Sequence, residues 1–190
     1  MRGIKCCLFI FVWIISIGLP LMIREYTMFE VILTSFFSLI LIAGATIDMH
    51  YCILPDEGAI GLVIGGIFYN AIKSYAVFDT CIVLVSVFIL CLGLRYMSNN
   101  GFGWGDIKWL CAISIWLTPI QTVVMIYIAF IVGAIYLFLW KLLKKSHISY
   151  LPFGPFLCCG AWNGLHLHYV WETLYWKLVL ITDITNVVFY

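Results

Sequence analysis

"FILCLGLRYMSNNGFGWGDIKWLCAISIWL", residues 88–117, is an apolar run, a short polar break and a second apolar run. The break carries glycines at 101, 103 and 105 and then sets Asp106 and Lys108 at the mouth of the second run. A water-free hydrocarbon core forces every backbone amide to be bonded internally, and a helix needs about 20 mostly apolar residues to cross it. The whole chain fits that solvent. It has 190 residues, 65% of them hydrophobic and 10% charged, with a mean hydropathy of +1.11, whereas ordinary soluble proteins carry roughly 25% charged residues. The expected fold is an all-α polytopic transmembrane helical bundle.

Working outward from residues 88–117, spans are expected near 4–23, 28–47, 58–73, 75–95, 106–118, 121–143 and 152–172. That makes about seven spans (six to eight) in one membrane-embedded domain over residues 1–190, the third and fifth being short. The tail 173–190 carries Lys177, Asp183 and Asn186 among its apolar residues and reads as an interfacial or periplasmic segment. The opening "MRGIKCCLFIFVWIISIGLP" has the basic start and apolar stretch of a secretory signal. No A-x-A-like site follows and the run is long enough to span, so a retained helix is expected, bent at Pro20.

Composition also narrows the partners. A net charge of +1 supplies no basic field for nucleic acid, so partners belong in or beside the lipid bilayer. The eight cysteines include no CxxC and read as small hydrophobes in apolar runs. His166 and His168 stand i, i+2, which on a helix points them about 200° apart and argues against a shared metal.

Basic residues give an orientation. With the N-terminus in the cytoplasm, Arg2, Lys5, Arg95, Lys108, Lys141, Lys144 and Lys145 lie inside, and Arg24, Lys73 and Lys177 lie outside. The second and fourth spans then run inward and the third and fifth outward. Asp48, at the inner end of the second, and Asp106, at the inner start of the fifth, therefore share the cytoplasmic face. Removing the first span leaves this parity unchanged.

Each acid has a plain structural use. Asp106 reads as a helix N-cap, Asp48 as a polar residue at the end of a span, and Asp56, after Pro55, as the cap of the third span, with Glu57 favoured by the helix dipole. As a pair, Asp48 and Asp106 offer chemistry. Two carboxylates brought close cannot both ionise cheaply, so they share a proton. One takes a proton from water while the other polarises a scissile carbonyl and protonates the leaving amine, the work of an aspartic protease. Gly101, Gly103 and Gly105 are expected to give the backbone φ > 0 and close approach to a partner. They do not make a dinucleotide fingerprint, which needs a preceding strand and a glycine where Asp106 stands.

Three stretches resemble one family. "GWGDIK" (103–108) matches the GxGD-x-K motif of type IV prepilin peptidases, which are membrane aspartic proteases. "IDMHYCILPD" (47–56) is similar to their first motif, an Asp followed seven residues later by Pro-Asp. "LPFGPFLCCGAW" (151–162) resembles their PFGP entry into a late helix, and the likeness covers roughly residues 28–172. The resemblance implies that Asp48 and Asp106 are the catalytic pair, with no metal or organic cofactor. It implies a prepilin or pseudopilin substrate whose basic leader is cut at the cytoplasmic face of a bacterial inner membrane, beside pilus or secretion machinery. Many members also carry a cytoplasmic domain with paired CxxC motifs associated with N-methylation. Here only "REYT" (24–27) separates the first two spans, so methyltransferase activity is not expected. The stretch after the first aspartate is often basic in the family, but here it is Met49-His50-Tyr51-Cys52.

Supporting residues admit two uses each. Lys108, two positions past Asp106, points away from it on a helix and is either a headgroup anchor or a catalytic partner. Asp56 and Glu57 either cap or draw in a basic leader. Pro152, Phe153, Gly154 and Pro155 either start the seventh span or bind an extended substrate. Gly103 and Gly105 give room for substrate or hold structure. Trp162 and most other aromatics read as packing or interface anchors. Competing with the protease are a transporter or proton pathway using Asp48 and Asp106, and a catalytically silent scaffold. Acids gathered at one face, with no inverted repeat, speak against transport. A presenilin or signal-peptide-peptidase relation would share GxGD but not the PFGP stretch.

Overall fold

A computed structural model describes residues 27–74, 76–99, 101–144 and 152–166. They form α1 (Met28–Tyr51), α2 (Asp56–Lys73), α3 (Val77–Met97), α4 (Trp104–Ser114), α5 (Pro119–Lys144) and α6 (Gly154–His166), with no strand among the described residues. The expected span at 4–23, its signal-or-anchor choice, residues 167–172 of the last span, His168 and the tail 173–190 lie outside the described residues. α1, α3 and Pro119–Leu142 of α5 are each long and apolar enough to cross a membrane. The chain is an all-helical, multi-pass membrane protein.

The expected span over 106–118 becomes a shorter helix. α4 has 11 residues, about 17 Å at 1.5 Å per residue, well under the roughly 30 Å of a hydrocarbon core. What stops it is the start of α5. In Thr118-Pro119-Ile120-Gln121 the Gln121 side chain accepts from the Thr118 N–H at 2.9 Å, and Thr118 Oγ1 accepts from the Gln121 N–H at 3.5 Å. This reciprocal capping box, with proline at the first helical position, opens a new helix inside an apolar stretch.

α1 and α2 form an antiparallel hairpin. Cys52, in the left-handed region at φ 53°, ends α1 and returns its N–H to the Asp48 carbonyl at 2.8 Å. At the other end of the hairpin Lys73 Nζ meets Glu30 Oε1 at 2.8 Å, with both side chains largely buried. α2 therefore runs back along the whole of α1.

α4 and the turn that follows it lie against α2 through two fully buried tryptophans seven residues apart, Trp109 in the helix and Trp116 in the turn. Trp109 Nε1 donates to the Pro55 carbonyl at 3.0 Å and Trp116 Nε1 to the Leu62 carbonyl at 2.7 Å. An indole N–H left unpaired in this interior would cost of order 1–3 kcal/mol, so the two bonds fix the register as well as the contact. Room for the rings comes from glycine. A Cβ on Gly44 of α1 would stand 2.0 Å from the Trp109 ring, one on Gly58 of α2 2.6 Å, and one on Gly65 2.6 Å from Trp116. Phe37 and Tyr69 complete the Trp116 pocket, at ring-centroid distances of 4.7 and 5.3 Å. Asn70 Nδ2 donates to the Ile115 carbonyl at 2.8 Å, so the chain turns back one turn before the end of α2.

α5 and α6 run antiparallel with their backbones close, as small residues permit in lipid. A Cβ on Gly160 would stand 2.3 Å from the Met125 carbonyl oxygen, and one on Gly164 3.0 Å from that of Gln121. The start of α6 and the end of α1 thereby reach the same end of the bundle, and α3 brings residues 98–99 and 101–105 to it.

Candidate active site

At that end a cavity of about 640 Å³ opens between the end of α1, the start of α2, the start of α4 and the segment before α6. Asp48 and Asp106, 58 positions apart in sequence, both line it, and each lies within the other's electrostatic reach. The parity count expected them at one end of the bundle. α2 and α3 deliver that by running out and back.

Asp48 sits in the last full turn of α1, three residues before its end, and is only 4% exposed. Its Oδ2 accepts from the Gly154 N–H at 2.7 Å. That bond solves a problem for α6 too, because the first amides of a helix have no partner within it. Gly154 gives its amide to Asp48, Pro155 has none to satisfy, and Phe156 returns its own to the Phe153 carbonyl at 3.1 Å. The Asp48 carboxylate also meets the positive end of the α6 dipole. A Cβ on Gly154 would stand 2.7 Å from Asp48 Oδ2, so glycine is required by contact.

Asp106 is half-buried and occupies the third position of α4. The expectation of an N-cap is corrected: Gly103 is the N-cap and offers no side chain. The Asp106 carboxylate turns back toward the Gly103 amide, the acid's half of a capping box. The glycines also differ from expectation, since no described glycine has positive φ and Gly103 sits at φ −71°. Their value is in space. A Cβ on Gly103 would come 3.1 Å from Asp106 Oδ2, and Gly105 faces Leu54.

The remaining expected residues divide between rim and frame. Asp56 is the first residue of α2, not its cap, because Pro55 holds the N-cap position. Lys108 Nζ reaches both Asp56 oxygens, at 2.8 and 2.9 Å. Both side chains are exposed at the pocket rim. Glu57, Pro152, Phe153, Gly103 and Gly105 line the cavity, whereas Gly154 and Pro155 stand behind it as the start of α6. The lining carries four carboxylates against one ammonium, an acidic surface.

Pattern reading missed two groups here. Cys52, Ile53 and Leu54 line the cavity through the non-helical link between α1 and α2. Arg95, counted above only among the positive charges of the inner face, donates from Nη1 to the Phe102 carbonyl and lies 4.8 Å over the Trp104 ring. Neither has a local signal beyond Pro55 in the link and a basic residue in the last turn of α3.

Comparison with known proteins adds to this geometry. Residues 35–138 match the model of the type IV leader peptidase family. A prepilin leader peptidase/N-methyltransferase of Aeromonas salmonicida is 29% identical over 133 residues, covering 66% of this chain and 46% of the relative. One of Legionella pneumophila is 32% identical over 129 residues, covering 64% and 45%. One of Neisseria gonorrhoeae is 25% identical over 159 residues, covering 80% and 53%. The chain spans about half the length of these relatives. No solved structure matches it.

Proposed function

This chain belongs to the type IV leader peptidase family, and we propose that it is an aspartic endopeptidase that removes the basic leader of a prepilin or pseudopilin. The observation that carries the proposal is the meeting of Asp48 and Asp106 on one acidic cavity at one end of a membrane bundle. Substrate enters extended, with its scissile carbonyl between the two carboxyls and its apolar helix in the bilayer. One carboxylate takes a proton from water as the water oxygen bonds to the carbonyl carbon. The other carboxyl gives its proton to the carbonyl oxygen, producing a neutral tetrahedral diol. Collapse breaks the C–N bond, the nitrogen leaves with a proton from the first carboxyl, and the second recovers one from the diol. No cofactor enters this sequence.

The Gly154 amide holds one carboxyl and the Gly103 amide the other, which favours the fixed geometry that hydrolysis needs. We place the pocket end in the cytoplasm of a bacterial inner membrane. Arg95 and Lys108 stand at that end and Lys73 at the other, the bias of the positive-inside rule. The leader's own positive charge suits an acidic mouth. The proposal covers cleavage and not N-methylation, since the sequence contains no CxxC pair.

The test is cleavage of a prepilin in proteoliposomes by wild type, Asp48→Asn and Asp106→Asn. Each variant is expected to lose roughly 100-fold or more of turnover, within the range for removing a general acid or base. Full turnover by either variant would refute the pair. An inactive wild type that conducts protons across the vesicle wall would support the transport reading instead.

A further inference from the structure

We propose that Arg95 is a positioning residue for Asp106, a guanidinium latch that fixes the loop before α4 through the Phe102 carbonyl and the Trp104 ring. This rests on the reading of Asp106 as one of two catalytic carboxyls. The loop needs an outside hold. It carries Gly101 and Gly103, whose backbones lose the most entropy on ordering, and Gly103 gives α4 no capping side chain. Yet the amide of Gly103 faces Asp106, so a displaced loop displaces the carboxyl.

Arg95 grips both neighbours of Gly103. It stands in the last turn of α3, where a cation commonly bonds its own helix's final carbonyls. Here the guanidinium reaches out of the helix, to the Phe102 carbonyl on one side and, 4.8 Å away, the Trp104 ring on the other. Ser98 Oγ accepts the Phe102 N–H at 3.1 Å, so both backbone polar groups of Phe102 are tied to the end of α3. The Phe102 ring then meets Phe153 edge to face, with centroids 5.8 Å apart. Phe153 precedes Gly154, the donor to Asp48. A continuous line of contacts therefore runs from Arg95 to both carboxyls. Its planar fork suits the task, because one group bonds a carbonyl and stacks on an indole, which a lysine ammonium cannot do in the same place.

A headgroup anchor needs only the charge, and this separates the two roles. In the prepilin assay, with wild type active and Asp106→Asn inactive as references, Arg95→Lys and Arg95→Ala are expected to lower kcat roughly tenfold or more, with KM within about twofold. Trp104→Ala should act alike, and the Arg95→Ala/Trp104→Ala double variant should be no slower than the slower single one. Hydrogen exchange of residues 101–106 should rise in Arg95→Lys while that of α1 stays unchanged. Wild-type kcat in Arg95→Lys, or losses that multiply in the double variant, would overturn the latch. If Arg95→Ala does not insert, Arg95→Lys and Trp104→Ala decide the matter alone. A wild type that cleaves nothing sinks the protease reading first, an outcome separate from an active wild type indifferent to Arg95.

Discussion

Gly154, just behind the pocket, has no room for a side chain. Its amide bonds Asp48 and the space of its missing side chain is filled by the same carboxylate. Gly154→Ala is expected to cut kcat by roughly tenfold or more with KM little changed, since displacement by about 1 Å near reacting groups is costly. A kcat equal to wild type would show that the carboxylate moves at no cost. The rim acids differ from each other in the same way that paired and unpaired charges do. Lys108 already matches Asp56, so Glu57→Gln should raise KM for a basic-leader substrate and flatten its salt dependence more than Asp56→Asn does. Steady-state kinetics at two ionic strengths check this, and an equal effect of both variants sinks it. The sequence made Asp48 and Asp106 legible, because their motifs and parity are local or countable. It could not tell a glycine used for φ > 0 from one used for space, since both leave the same letter at 103 and 105.

Helices in this bundle are held by buried rings seated on glycine. Gly44→Ala and Gly58→Ala each push a Cβ into Trp109, and overpacking of this kind costs typically about 1–3 kcal/mol. Thermal unfolding in detergent should show both losses. Gly93 has nothing within 4 Å of a Cβ, so Gly93→Ala should be neutral or slightly stabilising through helix propensity. Equal destabilisation at all three positions would mean that ring seating is not the cause. The exposed Lys108–Asp56 pair contributes little by contrast, because water and salt screen it. At this scale the boundaries of α1 to α5 were legible to within a few residues, as apolar length directs. α4 stops at Ser114, a few residues before its expected end, and the capping box of Thr118-Pro119-Ile120-Gln121 that opens α5 is written in ordinary residues of an apolar run.

For the molecule as a whole, the out-and-back course of α2 and α3 sets Ser74 and Met97 at opposite ends. In a cysteine-free background, Ser74→Cys and Met97→Cys should label with an impermeant maleimide from opposite sides of oriented vesicles, and labelling from one side would overturn the topology. By itself the sequence determined the solvent of this protein, its all-helical class and the placing of two acids from distant segments at one end of the bundle. Those follow from hydropathy, span length and the parity of crossings, all of which are properties of the chain read in order. Only the tertiary structure decided that the Gly154 amide holds Asp48, that Lys108 answers Asp56, that two indoles lock α4 to α2, and that Arg95 grips the loop of Asp106. Each of those joins residues far apart or reaching out of their own helix, and side-chain direction in a packed bundle is set by neighbours that no local pattern names.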